Sequence, residues 1–386
     1  MLVETVPAGG GNIGIMFLRQ RGDDPFISTP ERTAQIGEVA SRIASFISEA
    51  RSTLDIAIYD FRLRDEAAAI ISESLRERAK SKVVIRIIYD ATTEPDGDVM
   101  PATSPAHLEA DKKAPGTDTF VRSFADIAQI KSVTGYRVLM HSKYLIRDGD
   151  TDEAAVFLGS ANYTNDSWGL QENNLLQLRS RPLAAYFSKN FTNLFTSGRI
   201  AERPAVRDVD VLRVADVPVT VAFAPEQSPA IIKEIVGAIT AARRRLLVAS
   251  VVLSSGPILA ALSEAIDRGM SCVGIYDGPQ MDQVRRQWQA AHVGADKINT
   301  WDKVAGHLVR KNSLPYDRNK PHQPHNFMHN KLVIADDVVV TGSFNFSNHA
   351  MGNAENVLLI RDAGMASKYE AYVLQLMAKY RGNKRN

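Results

Sequence analysis

The chain has 386 residues, 45% hydrophobic and 23% charged with both signs mixed, enough apolar side chains for two ordinary domains or one large pseudo-symmetric one. A formal charge of +2 excludes the strongly basic class of nucleic-acid proteins, so any phosphate-binding surface must be local. Cys272 is the single cysteine; it rules out an intrachain disulfide and is expected as a buried thiol, in keeping with a reducing, cytoplasmic setting.

Met1 to Gly11 lacks the basic start and apolar run of a leader peptide. Ile36 to Ala50 then has the apolar spacing of a helix. It is followed by a β-rich run, Leu54-Asp55-Ile56-Ala57-Ile58-Tyr59, an amphipathic segment from Glu66 to Arg78, and a second β-rich run from Val83 to Asp90. The same order returns as Pro229 to Ala242, Leu246 to Leu253, Ile258 to Arg268 and Cys272 to Asp277, and both second runs close on Ile-Tyr-Asp. Leu246 to Leu262 is the longest uncharged stretch; Ser254-Ser255-Gly256-Pro257 interrupts it, and it is too short for a membrane span. Apolar strands separated by helices predict parallel strands covered on both faces. His141 follows Asp90 by 51 positions and His329 follows Asp277 by 52, a register that marks a duplicated domain. The division expected is 1–202, a Pro-, Asp- and Val-rich linker at 203–219, and 220–386.

Each half ends in the same constellation. The first is His141-Ser142-Lys143, then Asp148, Gly159-Ser160-Ala161-Asn162 and Glu172-Asn173; the second is His329-Asn330-Lys331, then Asp336, Gly342-Ser343-Phe344-Asn345 and Glu355-Asn356. Histidine to lysine is two positions, lysine to aspartate five and asparagine to glutamate ten in both, which aligns Glu172 with Glu355. The one discrepancy, five extra residues at Gly149 to Glu153, falls where a hairpin turn is expected. Residues i and i+2 of a strand share a face, so His141 projects with Lys143 and His329 with Lys331. Ser160 with Asn162, and Ser343 with Asn345, offer neutral donors on the returning strand.

Two complete copies at matched spacing resemble the phospholipase D superfamily, whose signature is His-x-Lys-x4-Asp followed by Gly-Ser-x-Asn. The resemblance covers nearly the whole chain. It implies two pseudo-symmetric α/β/α domains, each a mixed sheet flanked by helices, sharing one active site, so that a monomer suffices. It also implies a phosphodiesterase needing no metal and no cofactor. One histidine attacks phosphorus to give a phosphohistidine while the other protonates the leaving alkoxide and later activates water; the N-terminal one, His141, is the nucleophile. Lys143, Lys331, Ser160, Asn162, Ser343 and Asn345 would cradle the nonbridging oxygens. Glu172 and Glu355 would orient the histidines, while Asp148 and Asp336 are expected to hold strand and loop geometry. His322 and His325, in a Pro-rich loop without a cysteine partner, form no credible metal site.

The fold serves several substrates, so the substrate surface has to decide. The second motif, with Phe344-Asn345-Phe346-Ser347 and Asn353-Ala354-Glu355-Asn356, is similar to that of the bacterial endonucleases of the superfamily. Segment 278–328 holds eight basic residues against four acidic, whereas 91–140 holds five against seven. Arg310, Lys311, Arg318 and Lys320 are therefore expected as the lip that meets a DNA or RNA backbone. The alternatives are a phospholipase D or phosphatidyltransferase acting on phospholipid, and an inactive nucleic-acid-binding module. Tyr163, Trp168 and Phe346 are expected in the core, and Lys379, Arg381, Lys384 and Arg385 in a solvated tail.

Overall fold

The computed structural model describes residues 3–5, 11–90, 116–201, 208–315, 317, 320 and 323–382. In chain order the strands of the first half are β1 (Val3–Thr5), β2 (Ile13–Leu18), β3 (Thr53–Ile58), β4 (Phe61–Arg62), β5 (Val84–Asp90), β6 (Ala128–Val133), β7 (Lys143–Arg147), β8 (Ala155–Gly159), β9 (Tyr163–Thr164) and β10 (Asn173–Arg179). Those of the second are β11 (Asp210–Val214), β12 (Val217–Ala224), β13 (Leu246–Ser250), β14 (Cys272–Asp277), β15 (Leu308–Lys311), β16 (Lys331–Ala335), β17 (Val338–Gly342) and β18 (Glu355–Arg361). One eight-stranded sheet has the order β1-β2-β10-β8-β7-β3-β5-β6 and the other β11-β12-β18-β17-β16-β13-β14-β15. The two orders correspond strand for strand. In each sheet three strands run parallel (β3-β5-β6 and β13-β14-β15) and the rest pair antiparallel, the mixed α/β architecture expected of a duplicated domain.

The helices follow from caps and apolar faces. α1 (Pro30–Ser48) starts on Thr29, whose hydroxyl accepts the Arg32 N–H, with proline in the first turn. With α2 (Asp65–Lys80) it covers the outer face of the first sheet, where Ile43, Phe46, Ile71 and Leu75 meet Leu54, Ile56 and Ile85. After the short α3 (Thr117–Arg122) and α4 (Asn165–Gly169), α5 (Arg181–Ser197) is capped by Ser180. In the second half α6 (Ser228–Ala241), α7 (Gly256–Asp267), α8 (Gly278–Ala290) and α9 (Ala295–Ala305) lie on the outer side, and α10 (Ala363–Arg381) is capped by Asp362. The inner face of each sheet, α5 and α10 bury into one continuous core shared by both halves, with Phe187 and Phe191 on one side and Tyr369 and Tyr372 on the other. That shared core fixes one half against the other and so makes a site at their seam rigid.

Of the residues expected as a linker, Asp210–Val214 and Val217–Val219 are strand, because their alternating apolar side chains complete the edge of the second sheet. Cys272, Tyr163, Trp168 and Phe346 are buried. Lys379 and Arg381 belong to α10 rather than to a tail, while Lys384 and Arg385 lie outside the described residues.

Candidate active site

Each motif strand opens on its lysine, β7 at Lys143 and β16 at Lys331, and each histidine sits two residues earlier, on a segment tied to the opposite half. The His141 N–H donates to the Ala354 carbonyl at 2.9 Å, and the His329 N–H to the Glu172 carbonyl at 3.0 Å. One residue further back, Met140 N–H donates to Asp90 Oδ1 (2.7 Å) and Met328 N–H to Asp277 Oδ2 (2.8 Å). These are the aspartates of the two Ile-Tyr-Asp runs, so the repeat itself marks two site-building residues that motif spacing alone leaves without a role. Burial pushes the Asp277 carboxyl up to about 6 against the pull of Ser313 and the Met328 N–H. Lys143 Nζ donates to the His141 carbonyl at 2.5 Å and Lys331 Nζ to that of His329 at 2.6 Å, so each lysine folds back over its own histidine.

The imidazoles are held differently. His141 Nδ1 lies 2.8 and 2.9 Å from the two oxygens of Glu355, which comes from the other half and also accepts from Ser343 Oγ (2.6 Å) and Asn353 Nδ2 (3.2 Å). His329 Nδ1 lies 3.0 Å from the amide oxygen of Asn173, which accepts from Ser160 Oγ at 2.8 Å. The sheet register shows why. Gly342 pairs with Val357 and Gly159 with Leu175, so the counterpart of Glu355 is Asn173, and Glu172 corresponds to Ala354. The equal asparagine-to-glutamate spacing aligns the wrong pair. The Glu172 carboxylate takes Lys311 Nζ and the Tyr380 hydroxyl, and the Gln20 N–H at 3.2 Å. Glu355 is completely buried, and desolvation pushes its carboxyl up to about 7 while Lys143 pulls the other way. The same burial brings the Lys143 ammonium down to about 7, opposed by Glu355, Asp60 and Asp90.

Ser160 and Ser343, expected to bind phosphate, have their hydroxyls turned to protein groups. Both are fully buried, donate to the group that holds a histidine, and accept the N–H of Asn174 or Asn356 at 3.0 Å. Their hydroxyls are occupied behind the imidazoles. Gly159 (φ 159°) and Gly342 (φ 134°) permit this: a Cβ there would collide with the carbonyl of Asn174 or Asn356. Asn162 and Asn345 are half-buried at matched positions, and the Oδ1 of each is buried with no hydrogen-bond partner among the described residues. Asp148 accepts the N–H groups of Arg51, Ser52 and Thr53, and Asp336 those of Arg243, Arg244 and Arg245. Each ties the far end of a motif strand to the loop leading into β3 or β13.

The expected basic lip is largely neutralised. Lys311 is buried (1% exposed) on Glu172, Arg310 forms a two-pronged ion pair with Asp282, and Lys320 lies 3.5 Å from Asp317. Arg285 and Lys303 are paired with Asp302 and Asp267. Arg318 lies outside the described residues. Charge counting along a segment misses acids that the fold brings alongside.

Residues 43–195 and 235–377 each match the family described as cardiolipin synthase, PLD-like domain. No curated protein matches the sequence. Among solved structures, phosphatidylserine synthase from Haemophilus influenzae is similar over 95% of this chain and 86% of its own, at 14% identity and a TM-score of 0.59. Nuc, a phospholipase D family member from Salmonella typhimurium, is similar over 43% of this chain and 95% of its own, at 22% identity and a TM-score of 0.31. NucT from Helicobacter pylori is similar over 48% and 96%, at 19% identity and a TM-score of 0.30. With two matched domains covering most of its length and a duplicated fold to carry them, the chain belongs to the phospholipase D superfamily, in the family described as cardiolipin synthase, PLD-like domain.

Proposed function

We propose that the chain hydrolyses phosphodiester bonds of nucleic acid without a metal, with His141 as nucleophile and His329 as general acid. The observation that carries the assignment is the unequal support of the histidines, a buried carboxylate on His141 and a neutral amide on His329. When His141 donates its Nδ1–H to Glu355, the lone pair on its Nε2 is the one that attacks. Bonding to phosphorus makes the imidazole cationic, and the buried Glu355 carboxylate stabilises that charge. A protonated His329 donates Nδ1–H to the neutral Asn173 oxygen, which suits a group that must give up its Nε2 proton to the leaving oxygen. Neutral His329 then takes a proton from water, the hydroxide attacks phosphorus, and the P–N bond to His141 breaks. Lys143 and Lys331, with the amides of Asn162 and Asn345, supply the positive and polar surroundings for the nonbridging oxygens.

Nucleic acid as substrate is supported by the likeness of the second motif to those of bacterial endonucleases. A phospholipid is the second reading, favoured by the family's description and by the extent of the likeness to a phosphatidylserine synthase. Among the described residues no helix is long and apolar enough to cross a membrane. The test is to incubate the pure protein, in EDTA, with single- and double-stranded DNA, RNA and phospholipid vesicles. Oligonucleotide cleavage is expected; vesicle turnover with intact oligonucleotides would replace the first reading by the second.

A further inference from the structure

Three cations from distant parts of the chain converge on the residues that hold His329. Arg19 and Arg21 follow β2, and Lys379 lies near the end of α10. Lys379 Nζ donates to the Gln20 carbonyl at 2.7 Å, the Gln20 N–H donates to Glu172, and the Glu172 carbonyl accepts the His329 N–H at 3.0 Å. The Arg19 guanidinium lies 5.4 Å from the centroid of Tyr372, whose hydroxyl bonds the carbonyl of Asn173 (3.2 Å), the residue that holds His329. Lys311 and Lys379 lie 5.0 and 5.2 Å from the Tyr380 ring centroid.

Arg19, Arg21 and Lys379 are half-buried, and none has an ion-pair partner among the described residues, in contrast to the paired residues of segment 278–328. Burial and then Arg19 hold the Arg21 guanidinium below its ordinary value, with Glu31 and Glu38 opposing. Burial holds Lys379 down too, with Lys311 and Arg21 adding to it and Glu172 and Asp23 opposing. Partly desolvated like charges are costly, and an incoming anion relieves that cost. The cluster is not inherited from the repeat. Leu18 pairs with Asn173 as Ala224 pairs with Glu355, which sets Pro225 and Gln227 at the places of Arg19 and Arg21. The matched caps Ser180 and Asp362 set Ser197 at the place of Lys379.

We propose that Arg19, Arg21 and Lys379 form a second phosphate subsite that grips the backbone phosphate next to the scissile one, on the leaving-group side. This rests on the nucleic-acid reading and on His329 as general acid. It requires a substrate with successive phosphates on a flexible backbone. The cations are recessed against Tyr372 and Tyr380, where a strand can follow them more readily than a flat bilayer can.

The test is the triple variant R19Q/R21Q/K379Q, assayed at several salt concentrations on a single-stranded oligonucleotide, on bis(p-nitrophenyl) phosphate, which has one phosphate, and on cardiolipin vesicles. KM for the oligonucleotide is expected to rise about tenfold or more at low salt, and its logarithmic salt slope to fall by roughly 0.7 for each backbone phosphate no longer neutralised. Turnover of bis(p-nitrophenyl) phosphate should stay at the wild-type level, which also reports correct folding. R19Q alone, whose guanidinium makes no hydrogen bond among the described residues, should move KM and slope in the same direction. Unchanged oligonucleotide KM and slope would overturn the subsite while leaving the nuclease reading intact. Loss of cardiolipin turnover with unchanged oligonucleotide kinetics would assign the cluster to a lipid instead. A wild-type enzyme that cleaves bis(p-nitrophenyl) phosphate but no oligonucleotide overturns the substrate reading, and the subsite with it.

Discussion

Glu355 and His141 are 214 positions apart in the chain and 2.8 Å apart in the fold, a carboxylate of one half gripping the imidazole of the other. Glu355→Gln keeps the shape but removes the charge that compensates a cationic His141. It is expected to lower kcat/KM on a small phosphodiester by about 10²- to 10⁴-fold. Asn173→Ala removes only an orienting amide and should cost about 10- to 100-fold. Equal losses would mean that the two histidines do equivalent work.

The division of labour is visible in covalent labelling. With a substrate whose leaving group needs no protonation, His329→Asn is expected to retain a phosphorylated enzyme that denaturing electrophoresis resolves, and His141→Asn to give none. The reverse pattern would exchange the roles.

Lys143, brought down to about 7 by burial, is cationic below that pH and neutral above it. With the cation serving the phosphate as proposed, kcat/KM should fall as pH rises through about 7. Lys143→Arg stays charged throughout, so the surviving activity, though lower, should have its alkaline limb moved up by at least about one pH unit. An unmoved limb would belong to another group.

Asp148, the aspartate of the first motif, is predicted to matter for stability rather than chemistry. Asp148→Ala leaves the N–H groups of Arg51, Ser52 and Thr53 without their acceptor, a cost of about 2–4 kcal/mol in urea unfolding. Turnover per folded molecule should persist. A large fall in kcat with unchanged stability would give Asp148 a direct part in the reaction.

The two interface asparagines should respond oppositely to the same change. Asn174 is bonded to Asn330, Thr341 and Tyr369, whereas both amide atoms of the buried Asn356 lack a partner among the described residues. At the equivalent places stand Leu158 and Phe187, which cannot hydrogen-bond, and Ser142, which donates to the Ala354 carbonyl. Asn174→Leu is expected to cost about 2–3 kcal/mol, and Asn356→Leu to be neutral or stabilising by up to about 2 kcal/mol. Thermal unfolding of both variants decides it.

The sequence by itself determined the duplication, the helix and strand order that leads up to each motif, and the pairing of His141 with Lys143 and of His329 with Lys331 on matched strands. These depend on local periodicity and short spacings that a strand converts directly into geometry. Only the tertiary structure decided what stands behind the histidines. A shift of one residue in pairing changes which side chain faces inward, so equal spacing aligned Glu172 with Glu355 although the sheets pair Asn173 with it. The charged surface was equally out of reach. Whether a basic residue is free depends on acids brought to it from elsewhere, as Asp282 is to Arg310 and Glu172 to Lys311. Arg19, Arg21 and Lys379, without ion-pair partners among the described residues, are more than 350 positions apart from first to last, and they meet because the final helix packs back across the seam between the halves.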